Sequence, residues 1–217
     1  EVNAVASFSI LGDMVSRVGG DRVAVTTIVG PNADTHIYEP KPSDAAAVAA
    51  ADIFFVNGLG FEGWMERLVE ATGYGGRLTI VSDGSATHVM AEHDDEAEHE
   101  DGHDHGEIDP HAWQSLANGV IYVRNIASAL CAVDTEGCAL YTANAEAYSA
   151  ELTALDAAIK SSFASIPEAR RTVITTHDAF GYFGDAYGVT FLSPEGISTD
   201  AEPSAADVAK LIIQIKS

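Results

Sequence analysis

Short apolar runs alternate with helical stripes along the first eighty or so residues. Residues 3–7, 23–29, 52–57 and 77–81 are rich in Val, Ile, Phe and Ala and are predicted as strands. Helices are predicted between them over 9–18, 43–50 and 61–72, the third carrying Phe61, Met65, Leu68 and Thr72 at helical spacing. Such alternation predicts a parallel sheet with helices on its faces. Two longer stripes follow. Leu116, Val120, Val123, Ala127 and Leu130 form one; Tyr141, Tyr148, Leu152, Leu155, Ile159 and Phe163 form the other. The second covers roughly 135–165, with no Gly or Pro after Gly137 and with Pro167 beyond its end. At about 1.5 Å rise per residue it is a rod of roughly 45 Å. Strands at 171–176 and 189–192 and helices at 178–187 and 204–216 complete the pattern. The expected fold is α/β, with two lobes of parallel sheet flanked by helices and joined by one long rigid helix. The expected boundaries are 1–133 for the first lobe, 134–166 for the linking helix and 167–217 for the second lobe. Two strands and two helices make a small core, so the second lobe is expected to be incomplete, cut short at Ser217.

Residues 92–107 break the pattern. Nine acidic residues and His93, His99, His103 and His105 fall there without apolar periodicity, which predicts a disordered surface loop. The segment carries much of a formal net charge of -22. A surface this acidic repels nucleic acid and anionic membrane, which excludes both as partners, and it favours cations. No apolar run approaches the roughly 18 residues of a membrane span. Cys131 and Cys138 flank the turn-like stretch Asp134-Thr135-Glu136-Gly137. Their spacing excludes a CxxC motif. A disulfide across the turn is expected in an oxidising compartment, with two free buried thiols as the alternative.

Three of the remaining histidines sit at positions that suit a ligand. His36 follows a predicted strand, His111 enters a helix, and His177 ends the run Val173-Ile174-Thr175-Thr176. In open α/β sheets the crevice outside the carboxyl ends of the strands is where ligands bind. Two of these residues belong to the first lobe and one to the second, so a shared ligand would lie in the cleft between them. Their separations of 75 and 66 residues match no local zinc motif.

Four segments carry a resemblance. His36-Ile37-Tyr38-Glu39-Pro40 with Pro42-Ser43-Asp44 resembles the first metal-ligand segment of the cluster A-I solute-binding proteins, the zinc and manganese receptors of ABC transporters. Asp109-Pro110-His111-Ala112-Trp113 resembles the second, and Thr176-His177-Asp178-Ala179-Phe180 with Tyr182 and Phe183 the third. Glu202-Pro203-Ser204-Ala205 resembles a segment further downstream. The resemblance covers essentially the whole chain, in order. It implies two lobes bridged by a long helix, with one metal held between them by His36, His111 and His177. It also implies zinc, because manganese-binding relatives typically have a carboxylate where His177 stands, and imidazole suits zinc better than manganese. Intrinsic affinity would favour copper at such a site; zinc is preferred on availability and family grounds. The fourth ligand implied is an Asp that would lie beyond Ser217. Some zinc relatives instead place a Glu just before the first His, where this chain has Thr35.

The resemblance further implies a mature periplasmic receptor whose signal peptide has been removed, monomeric, delivering zinc to a membrane permease without chemical turnover. The histidines of the acidic tract are expected to add weak capture sites or to dock a periplasmic zinc metallochaperone. A zinc hydrolase or lyase is the main rival, since three His and a water make a catalytic zinc site, but no HExxH occurs and no general base stands at motif spacing. An adhesion module and a manganese receptor are further rivals; His177 argues against the latter.

Overall fold

A computed structural model describes residues 1–89, 108–194, 199 and 205–216 of the 217. The tract holding His93, His99, His103 and His105 lies outside the described residues, as does Glu202.

The first lobe is built on strands β1 (Val2–Phe8), β2 (Val23–Val29), β3 (Ile53–Val56) and β4 (Arg77–Ile80), all parallel, in the order β2-β1-β3-β4. Strands with both faces covered read as continuous apolar runs, and β3, with all four residues buried, is the clearest case. Helix α1 (Ser9–Gly19) leaves β1 without a loop and packs on β2. Its Gly12 permits that approach, because a Cβ there would stand 2.3 Å from Thr27 Oγ1. Helices α2 (Pro42–Ala50) and α3 (Met65–Thr72) complete the β-α alternation. The order of connection reverses between β1 and β3. That switch point opens a crevice at the carboxyl ends of the strands.

Residues 61–64 differ from the sequence expectation. Helix α3 starts only at Met65, and residues 58–64 form a loop with left-handed backbone at Gly58, Leu59 and Gly60. The cause is local. Phe61 turns to the crevice and Glu62 turns inward to backbone N–H groups, so neither joins the helical stripe. Residues 178–180 likewise stay outside the helix predicted for them.

Helices α4 (Leu116–Val133) and α5 (Cys138–Ala164) form a hairpin whose turn is closed by the Cys131–Cys138 disulfide. By length and composition alone α4 is long and apolar enough to cross a membrane. One face of it, including Tyr122, Val123, Ile126 and Leu130, is buried in the core of the first lobe, and it carries Asn118, Arg124 and Asn125. At the turn, Asp134 accepts from the Tyr141 O–H and from the Arg22 guanidinium. These partners hold its carboxyl down at about 2.

Helix α5 is about 40 Å long at ordinary helical rise. Its first half packs on α1: Asn144 Nδ2 donates to Val18 O at 3.0 Å, and the Arg17 guanidinium lies 3.7 Å above the Tyr148 ring. Its second half meets helix α6 (Gly181–Tyr187), where the Tyr187 O–H donates to Asp156 at 2.9 Å and the Phe163 and Phe183 rings lie 5.8 Å apart. One rod thus links the two lobes. The second lobe contains β5 (Thr172–Ile174) and β6 (Thr190–Leu192), a parallel pair, with α6 between them in sequence and α7 (Ala205–Lys216) after them. The architecture is the two-lobed α/β fold expected from the hydrophobic pattern.

Candidate metal centre

His36, His111 and His177 meet at the cleft. One ring nitrogen from each lies within 4.8 Å of the other two. Among the described residues they are the one His, Cys, Asp or Glu group so placed. The Nε2 atoms of His36 and His111 are 3.0 Å apart. Two donors of a tetrahedral ion with bonds of about 2.0–2.1 Å sit roughly 3.3–3.4 Å apart, so the first-lobe pair stands close to a chelating separation.

Each histidine has a side-chain contact from two residues earlier, and at His111 that contact also reaches the ring. Asp109 Oδ1 accepts the His111 backbone N–H at 2.9 Å and lies 2.7 Å from His111 Nδ1. Both residues are buried, Asp109 completely. A carboxylate can only accept there, so the proton sits on Nδ1 and the Nε2 lone pair faces the cleft. The other oxygen, Asp109 Oδ2, is buried without a hydrogen-bond partner. Asp34 Oδ1 accepts the His36 backbone N–H at 2.9 Å in the same way. Thr175 Oγ1 donates to His177 O at 3.0 Å. All three histidines therefore have a polar residue two positions earlier that closes a local turn. The repeated Asp-x-His at 34–36 and 109–111 was the sequence signal for two of these supports.

An aromatic wall backs the donors. The Phe61 ring lies 4.9 Å from that of His36 and 5.7 Å from that of His111; Trp113 lies 4.7 Å from Phe61 and 4.8 Å from Phe8. Such a wall excludes water from one side of the donors and strengthens charge interactions there. The open side is a cleft of about 480 Å³ reaching Asn32, Thr176, Phe180 and Thr199.

Contacts between the lobes surround it. The Tyr182 O–H donates to Asp109 O at 2.6 Å, His88 Nδ1 lies 2.6 Å from Asp185 Oδ2, and Thr199 Oγ1 donates to Asp34 Oδ2. Gly181 sits where a Cβ would come within 3.0 Å of both the His88 ring and Asp109 Oδ2, so the lobes can meet this closely only at a glycine.

Comparison with known proteins agrees with this arrangement. Residues 4–217 match the family described as zinc-uptake complex component A, periplasmic. The chain is 38% identical over 212 residues to the manganese-binding lipoprotein MntA of Halalkalibacterium halodurans, covering 98% of this chain and 66% of that protein. It is 34% identical over 222 residues to the iron ABC transporter substrate-binding lipoprotein MtsA of Streptococcus pyogenes, covering 100% of this chain and 69% of that protein. The chain thus spans about two thirds of the length of these relatives. The solved periplasmic zinc binding protein TroA from Treponema pallidum superposes with a TM-score of 0.87 at 27% identity, over 99% of this chain and 74% of that one. Family, relatives and fold converge on one conclusion: the chain belongs to the periplasmic zinc-uptake component A family, the cluster A-I metal-binding receptors of ABC transporters, which are solute-binding proteins and not enzymes.

Proposed function

We propose that the chain captures zinc(II) in the periplasm through His36, His111 and His177 and hands it to the permease of an ABC transporter. The observation that carries this reading is the convergence of three imidazoles, from three separate segments and both lobes, within 4.8 Å. Three neutral nitrogen donors leave one position of a tetrahedral ion open, and nitrogen donors favour zinc over manganese. Capture between two lobes also provides a release route, since separating the lobes withdraws His177 from the other two. The histidines of the acidic tract, His93, His99, His103 and His105, would add weaker capture sites or a contact for a periplasmic zinc metallochaperone. The receptor is proposed to act as a monomer.

A manganese or iron cargo is the second reading, and the named cargoes of the two relatives at 38% and 34% identity favour it. Competition separates the two. The protein, first stripped of metal, is titrated with zinc against a chelator of known affinity, and then with manganese and with iron(II) under the same conditions. Zinc is expected to bind at one tight site and to displace the other two. Manganese or iron(II) binding as tightly as zinc would reject the zinc assignment and leave the receptor role standing.

A further inference from the structure

One loop touches both first-lobe arms of the site. Asn57 Nδ2 donates to Pro110 O at 2.8 Å, and Trp64 Nε1 donates to Thr35 O at 2.9 Å. Pro110 and Thr35 are the residues immediately before His111 and His36. Between these two anchors the loop sends out Phe61, whose ring packs edge-on against both imidazoles. Eight residues, 57–64, thus hold the chain one position before each histidine and fill the angle between the rings.

The loop has its own fastening. Glu62 is buried; its Oε1 accepts the Ser7 O–H at 2.6 Å and the Asn57 N–H at 2.7 Å, and its Oε2 accepts the Gly58 N–H at 3.1 Å. Burial pushes the Glu62 carboxyl up, and the three donors pull it back. The Tyr122 O–H donates to Asn57 Oδ1 at 2.5 Å, which turns the amide so that Nδ2 faces Pro110. Leu59 is held at φ 56, a region that non-glycine residues enter only where their surroundings impose it. A buried carboxylate is a costly way to close a turn. Here it ties the carboxyl ends of β1 and β3 to the residue that positions Pro110.

Resting on the reading of His36 and His111 as zinc donors, we infer that residues 57–64 are a template that sets the separation of these two imidazoles, with Glu62 as its positioning residue. Glu62 acts through Asn57, Phe61 and Trp64. An amide at this position must direct its NH₂ group toward a donor that the carboxylate now accepts, so Glu62→Gln should loosen the loop while keeping its size. Trp64→Phe should keep the apolar ring and release only the Thr35 carbonyl.

The test measures zinc affinity by chelator competition and the visible absorption of the cobalt(II)-loaded protein, which reports ligand geometry. Glu62→Gln and Trp64→Phe are compared with the unmodified protein and with Phe54→Leu, a core change in β3 away from the site. Weakening of zinc binding by about 10–100-fold, the range for residues that orient metal ligands, is expected in both template variants. Altered cobalt bands are expected with it, and Phe54→Leu should leave both readings unchanged even where its Tm falls as far. If Glu62→Gln fails to fold, Trp64→Phe alone decides. Unchanged affinity and unchanged cobalt bands in the template variants would overturn the inference, as would equal losses in Phe54→Leu. Failure of the unmodified protein to bind zinc tightly would instead reject the reading on which the inference rests.

Discussion

The two lobes hold their histidines in very different ways. In the first, His36 and His111 stand over a four-stranded sheet whose β3 is fully buried, and their supports include the buried Asp109 and Trp64 hydrogen bonds and the Phe61 ring. In the second, among the described residues, His177 follows β5, which pairs with β6 and whose three residues are exposed. Helix α5 repeats the contrast along its own length. Tyr141, Ala145, Tyr148 and Leu152 are buried at the first-lobe end, while Leu155 beyond them is exposed. Under the proposed zinc site, the difference suggests separate roles for the three imidazoles. A rigid lobe can fix two nitrogens in advance, which lowers the ordering cost of binding. Under the proposed zinc site, a third donor from the other lobe could then come and go as the lobes separate.

The largest effect expected from breaking this arrangement is loss of a donor. His36→Ala and His111→Ala should each weaken zinc binding by more than about 100-fold, beyond the range for orienting residues. His177→Ala should also lose the tight site, while leaving a two-imidazole site that still captures zinc weakly. Chelator competition on the three variants checks the ranking, and His177→Ala as the most damaging of the three would contradict the assignment of a preset pair.

Next in size is the support of His111. Asp109→Asn keeps the side-chain volume and can present an N–H toward Nδ1. That would move the imidazole proton to Nε2, the nitrogen facing the cleft. Affinity should fall by about 10–100-fold with little change in Tm. Equal affinity in this variant would show that Asp109 only closes a turn.

The contrast between lobes predicts a gradient in amide exchange. Amides of β1 and β3 should be the best protected in the chain, and those of β5 and β6 should exchange through local opening. Saturating zinc should slow exchange in the second lobe more than in the first, because only there does binding add an anchor. Uniform protection across both sheets would remove the contrast.

The smallest effect belongs to the hairpin. Cys131 and Cys138 close a short loop, so Cys131→Ser with Cys138→Ser should cost about 2–3 kcal/mol of stability. Zinc affinity should hold within a fewfold, since the disulfide lies at the turn of α4 and α5 and not in the cleft. A calorimetric scan and a zinc titration of the double variant check both halves of that expectation.

Most of the fold was legible in the chain, for a physical reason. Strands covered on both faces must be continuously apolar, and the long stripe from Tyr141 to Phe163 has one period and no breaker, so sheet and rod could be read from spacing alone. The three histidines stood out through the segments around them; spacing alone could not join residues 75 and 66 positions apart. The supports were harder to see. Phe61 and Glu62 fit a helical stripe as well as a loop, and only the fold shows that Glu62 accepts from the Ser7 hydroxyl on β1 and from the Asn57 N–H just past β3. Thr199 and Tyr182 reach across the cleft to Asp34 and Asp109 through contacts between distant segments that no local pattern encodes.

The central claim is that a single ion is held jointly by imidazoles from both lobes. X-ray absorption at the zinc edge tests it most directly, on protein lacking residues 92–107 and loaded with one equivalent of zinc. The account predicts three imidazole nitrogens at about 2.0–2.1 Å plus one oxygen donor, falling to two imidazoles in His177→Ala. A spectrum with two or fewer imidazoles in the unmodified site, or one left unchanged by His177→Ala, would contradict it.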